Sequence, residues 1–140
     1  MRAYERLLKY VSVYTTSDPD SATVPSSMRQ YDLANILVDE LKALGLENVH
    51  VDENGVVYGW LSATAGCEQK PALGFIAHLD TAPDCSGENV KPQIIENYDG
   101  GDVLLAGSGE KLSPAAFPTL KKLAGMTLIT TDGTTLLGAD

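Results

Sequence analysis

Positive charge is scarce in this sequence. Lys and Arg together number 10 against 19 Asp and Glu in 140 residues, a formal net charge of -9. A surface that holds nucleic acid or an anionic membrane must neutralise phosphate, and this composition cannot build a basic face of useful size, so neither partner is expected. Long apolar runs are also missing: none approaches the roughly 18 residues of a membrane span. The opening Met1-Arg2-Ala3-Tyr4-Glu5-Arg6 is charged and leads into an amphipathic pattern, not into a secretory signal. There is no Asn-x-Ser/Thr acceptor. The only cysteines, Cys67 and Cys85, are not spaced as a CxxC pair. They read as free thiols of a cytoplasmic protein, with a bridge between them left open. Histidine is limited to His50 and His78. A nucleophilic Cys85 would need an activating base, which leaves that role with little support.

Other familiar sites fail on spacing. Gly107-Ser108-Gly109-Glu110-Lys111 lacks the GxxxxGK[ST] pattern of a phosphate loop. Glu96, Asp99 and Asp102 do not fit a calcium loop. Ser86-Gly87 is not a nucleophile elbow.

What is present is globular. Hydrophobic residues make up 44% and charged residues 21%, and the length suits one domain. Tyr4, Leu7, Leu8 and Val11 recur at helical spacing, which predicts a helix over Arg2–Val13. Thr15–Ser26 reads as a polar loop. Ser27-Met28-Arg29-Gln30 fits a capping box, and the helix after it carries Leu33, Leu37, Leu41 and Leu44 on one face, with Gly45 as its left-handed stop. Val49 and Val51, then Asn54-Gly55, then Val56–Leu61 predict a hairpin, with His50 on its solvated face. Ala72-Leu73-Gly74-Phe75-Ile76-Ala77 is continuously apolar, the mark of a central strand covered on both faces. Asp99-Gly100-Gly101-Asp102 reads as a turn between two short strands, and Ser113–Leu123 as a short helix limited by Pro114 and Pro118. Met126–Thr130, the turn Thr131–Thr134 and Leu136-Leu137 predict a second hairpin. The expected fold class is α/β, with a mixed, largely central-parallel sheet flanked by helices.

The segment that carries chemistry is His78-Leu79-Asp80-Thr81-Ala82-Pro83-Asp84, at the end of that apolar run. Ligand sites in open α/β sheets lie beyond the carboxyl ends of strands. His78 and Asp80 are two residues apart, so on extended backbone both side chains point the same way. A neutral imidazole is a good zinc ligand, and its other ring nitrogen usually needs a carboxylate or carbonyl partner, which Asp80 can supply. Asp140 is the second acidic candidate, after the small pair Gly138-Ala139. On spacing alone, a histidine that merely hydrogen-bonds and a plain strand-end turn are the stronger readings of these residues.

Several stretches together resemble a known family: Gly74–Asp84, Ser86-Gly87-Glu88-Asn89-Val90-Lys91-Pro92, Leu128–Gly133, Leu136-Leu137-Gly138-Ala139-Asp140, and the opening Tyr4–Tyr10 with Thr15-Thr16-Ser17. They are similar to the peptidase T family, tripeptide aminopeptidases among the co-catalytic di-zinc exopeptidases. The resemblance spans essentially the whole chain. It implies that His78 binds one zinc, that Asp80 assists catalysis by orienting that histidine, and that Asp140 bridges two zinc ions about 3.5–4 Å apart. The implied reaction is removal of the N-terminal residue of a tripeptide by metal-activated water, in the cytoplasm.

The family's glutamate base and its other ligands follow the bridging aspartate. By this resemblance, residues 1–140 are the N-terminal portion of a zinc-exopeptidase catalytic domain, with the second, lid or dimerisation domain absent and the chain by itself inactive. Two alternatives stand beside it: a dipeptidase or deacylase with the same metal core, and a non-catalytic binding or structural domain. No motif sets the oligomeric state.

Overall fold

A computed structural model describes residues 1–138. In chain order its elements are α1 (Ala3–Tyr10), α2 (Gln30–Ala43), β1 (Glu47–Val51), β2 (Val57–Trp60), β3 (Pro92–Ile95), β4 (Val103–Leu104), β5 (Lys111–Leu112), a 3₁₀ helix (Pro118–Leu123) and β6 (Leu128–Thr131). They fall into two compact units. Thr15–Thr81 forms one; Met1–Tyr14 with the chain from Ala82 onward forms the other.

In the Thr15–Thr81 unit, α2 packs on the antiparallel pair β1–β2. Its buried residues are Leu33, Ala34 and Val38. The predicted stripe is therefore rotated: Leu33 is inside, but Leu44 is exposed, because it caps the helix beyond its last turn. The expected capping box does not form. Ser27 serves the helix start with its carbonyl, which accepts the Gln30 N–H at 3.2 Å, and the Gln30 side chain donates to Ser26 Oγ at 3.4 Å. Gly45, at φ 85°, ends α2 as expected, and the Leu46 N–H donates to the Leu41 carbonyl at 3.1 Å. Gly59 matters for packing. A Cβ there would come within 2.9 Å of Leu46 Cδ2, so any larger residue would make the Leu46 side chain shift.

The β1–β2 turn is wider than Asn54-Gly55 predicts. Val51 pairs with Val57, leaving the loop Asp52–Val56. The Asp52 carboxylate builds it, accepting the Val56 N–H at 2.8 Å and the Asn54 N–H at 3.0 Å. Those amides, Val56 foremost, hold the Asp52 carboxyl below its usual range. Tyr31 closes the loop from α2, donating to the Asp52 and Glu53 carbonyls.

The predicted central strand is overturned. Ala72–Ala77 has no strand geometry, and Phe75 and Ile76 are 90% and 102% exposed. A parallel strand exists only by pairing with neighbours that a crossover connection delivers, and the described residues provide none for this run. The described strands instead form three two-stranded antiparallel ribbons, β1–β2, β3–β6 and β4–β5. The sole parallel pairing among the described residues is an isolated bridge between Thr16 and Thr81. Over the described residues the chain is α/β in composition, without the expected central-parallel sheet.

In the second unit α1 is shorter than the pattern Arg2–Val13. The Glu5 carboxylate fixes its start, accepting the Arg2 N–H at 2.7 Å and meeting the Arg2 guanidinium at 3.1 Å. The core is Tyr98, Val103 and Leu105, packed with Ile95, Leu112, Leu120, Leu123 and Leu128. β6 pairs with β3, with Ile94 opposite Ile129 and Ile95 opposite Leu128. This corrects the predicted hairpin with Leu136-Leu137. β3 brings Ile95 and β6 brings Leu128 against the Tyr98, Val103 and Leu105 core, which a local return of the chain would not do. The turn at Asp99–Asp102 lies between β3 and β4 as expected, though each pairs elsewhere. Gln93 links the ribbons: its amide donates to the Leu104 carbonyl at 3.2 Å and its Oε1 accepts the Ala106 N–H at 3.0 Å. Only Pro118–Leu123 of the expected helix over Ser113–Leu123 is helical, as 3₁₀, consistent with its prolines.

Candidate metal centre

His78 and Asp80 meet as their spacing predicts. His78 Nδ1 lies 2.8 Å from the Asp80 carbonyl oxygen and 3.1 Å from Asp80 Oδ1. Both partners are acceptors, so Nδ1 carries a proton, and in the neutral ring the lone pair is then on Nε2. That tautomer is the one an imidazole needs to bind a metal through Nε2 while a carboxylate orients it. The donor chemistry therefore fits one zinc-ligand position. The side chains are 56% and 40% exposed, so the pair is open to solvent.

The residue after the pair is held firmly within the same unit. Thr16 Oγ1 and Thr81 Oγ1 are 2.9 Å apart. Ser17 donates to the Thr81 carbonyl twice, from its N–H at 3.0 Å and from its hydroxyl at 3.2 Å. Thr15 and Thr16 are buried. The sequence reading placed Thr15–Ser26 in a loop and gave these hydroxyls no structural task; three consecutive hydroxyl residues after a helix were the available signal.

Asp140 lies outside the described residues. Among the described residues, no three His, Cys, Asp or Glu side chains gather in a way that could hold a metal ion. The chain leading toward Asp140 is tightly organised. Asp132 is buried, and its Oδ1 accepts the Thr134 N–H at 2.9 Å and the Thr134 hydroxyl at 2.6 Å. Thr134 is the main reason its carboxyl sits below the ordinary range; Lys91 Nζ, 3.8 Å away, adds a smaller attraction. The Asp132 carbonyl accepts N–H groups from Gly107 at 2.7 Å and Ser108 at 3.0 Å. The Leu136 N–H then donates to the Ser86 carbonyl at 2.9 Å. Sequence reading treated Thr131–Thr134 as a simple turn and missed the burial of Asp132.

His50 is on the exposed side of β1, as expected. Its Nδ1 contacts the Asn48 carbonyl at 2.8 Å and its ring stacks on Tyr58 at 5.2 Å. Cys67 and Cys85 are free and exposed.

No family model matches the chain. Curated relatives do, and their shared name states a peptidase. The chain is 57% identical over 136 residues to Peptidase T of Aliivibrio fischeri, covering 97% of this chain and 33% of that protein. It is 58% identical over 137 residues to Peptidase T of Geobacillus thermodenitrificans, again 97% of this chain and 33% of the relative. With Peptidase T of Alkaliphilus oremlandii it shares 55% over 140 residues, 97% of this chain and 34% of the relative. Over this span the chain is a homologue of the peptidase T proteins, and it spans about a third of the length of these relatives.

Proposed function

We propose that this chain supplies part of the zinc centre of an aminopeptidase that removes the N-terminal residue from tripeptides. The observation that carries the reading is the His78–Asp80 contact, in a chain homologous to Peptidase T along nearly its whole length. His78 offers Nε2 to the metal. Asp80 holds the Nδ1 proton, fixing the tautomer and the ring orientation and raising the basicity of the ligand nitrogen. Asp140 is proposed as the carboxylate shared by two ions, on the resemblance of Leu136–Asp140 to the family motif. Bound zinc would supply polarisation of the peptide carbonyl and a water acidic enough to ionise near neutral pH. The remaining ligands and the general base are proposed to come from polypeptide of the kind that the longer relatives carry outside the matched span, together with the second domain. The reaction is proposed to be cytoplasmic, on the resemblance alone. Among the described residues no helix is long and apolar enough to cross a membrane.

Zinc content and tripeptide hydrolysis of the protein carrying this chain, compared with its His78→Ala and Asp80→Ala variants, test the proposal. His78→Ala is expected to lower bound zinc and abolish turnover. Asp80→Ala is expected to slow turnover far more than it lowers the melting temperature. Unchanged zinc in His78→Ala would leave the pair a structural hydrogen bond. Faster cleavage of dipeptides or acylated amino acids than of tripeptides would move the activity to that branch.

A further inference from the structure

We propose that Thr16 and Ser17 are positioning residues for the His78–Asp80 pair, acting through Thr81. The pair sits between two unlike anchors. On its N-terminal side Ala72–Ala77 is exposed and takes part in no strand or loop hydrogen bond among the described residues. On its C-terminal side Thr81 is gripped at both its hydroxyl and its carbonyl by Thr16 and Ser17, from a segment whose Thr15 and Thr16 are buried.

The geometry transmits that grip to the imidazole. His78 Nδ1–H donates to the Asp80 carbonyl at 2.8 Å, its shorter contact. That carbonyl belongs to the peptide plane between Asp80 and Thr81, which is rigid. Fixing Thr81 limits the swing of the plane, and the plane aims the Asp80 oxygen at the ring. The Asp80 carboxylate at 3.1 Å then completes a two-acceptor seat for one proton. Loss of the Thr16 and Ser17 hydroxyls leaves the Ser17 N–H bond in place, so the local backbone persists while the seat loosens.

The consequence for metal binding rests on the proposed function; the positioning itself does not. The test is imidazole ¹⁵N spectroscopy of the metal-free chain, at a pH well above the ordinary imidazole value of about 6.5. With only His50 and His78 in the chain, His50 serves as an internal control in the same unit. In the unmodified chain His78 is expected to show one Nδ1–H tautomer with widely separated ring-nitrogen shifts. In the Thr16→Val/Ser17→Ala double variant, that separation is expected to shrink by about half or more, because both tautomers become populated. His50 should not move, and Thr16→Ser, which keeps the hydroxyl, should restore the original spectrum.

Unchanged His78 shifts in the double variant overturn the proposal, as do equal changes at both histidines. If the double variant does not fold, the Thr16→Val variant alone gives the same reading, with a smaller loss of separation expected and no change overturning it. Zinc analysis of the protein carrying this chain gives the separate outcome: zinc content unchanged by His78→Ala removes the metal reading and leaves the Thr16–Ser17 grip standing.

Discussion

The stretches Thr131–Thr135 and Ala72–Asp80 each lead to a residue proposed to bind metal, and they are built in opposite ways. In the first, the side chains of Thr131 and Asp132 and the backbone of Asp132 are engaged. Thr131 Oγ1 donates to the Thr135 carbonyl at 3.0 Å and accepts the Gly133 N–H at 3.0 Å, while Asp132 is tied to Thr134, Lys91, Gly107 and Ser108. In the second, the apolar side chains Phe75 and Ile76 stand in solvent, and order is described only at the far end, around Asp80 and Thr81. Short polar residues can satisfy a turn from within a few positions of themselves. An apolar run gains nothing until other elements cover it.

The largest effect that would test this difference is at Gly133. Its φ is 88°, and a Cβ there would meet Ser108 Oγ at 2.1 Å and Leu105 Cβ at 2.9 Å. Gly133→Ala is expected to destabilise the fold by about 2–4 kcal/mol in a denaturant melt, combining left-handed strain with overpacking. A melt matching the unmodified chain would show the turn to be looser than its contacts imply.

Asp132→Ala comes next and should lower the melting temperature at neutral pH by several degrees. The sign of its pH dependence follows from a carboxyl depressed in the folded state. Its stabilisation is present above the ordinary aspartate value, near 3.9, and is lost as pH falls through the lower folded value. Asp132→Asn should therefore flatten the acid end of the stability curve, and an unaltered acid limb would remove Asp132 from the account.

Lys91→Met should have little effect on melting, because an exposed ammonium 3.8 Å from the carboxylate is a weak partner. A loss as large as that of Asp132→Ala would make the ion pair, not the Thr134 bonds, the source of the turn's strength. The smallest effect is expected from Phe75→Ser with Ile76→Ser, within about 0.5 kcal/mol for side chains this exposed. A large loss there would break the comparison outright, by showing that the apolar run is covered in solution.

Legibility in the sequence followed the range of the interactions. α2, the Gly45 stop and the β1–β2 hairpin were readable because periodicity, a left-handed residue and alternation act within a few positions. The meeting of His78 with Asp80 was readable for the same reason, being a property of two-residue spacing. The partner of β6 was not, since a local return to Leu136-Leu137 and a distant pairing with β3 suit the same strand pattern, and only the tertiary fold chose β3. The loop at Asp52 was misjudged because its carboxylate captures amides on both sides of Asn54-Gly55 and widens the turn. The apolar run Ala72–Ala77 was read as a strand from hydrophobicity, which reports what a segment would gain from being covered and not whether covering exists.

The sequence by itself determined the acidic character of this chain, its main helices and the side-chain pair His78–Asp80, because charge, periodicity and two-residue spacing need no distant partner. Tertiary structure decided which strands pair, that Asp132 is buried against Gly107, and that Thr16 and Ser17 grip Thr81. Each of those joins residues far apart in the chain, where the entropy of closing the intervening loop is offset only by contacts that no local pattern encodes.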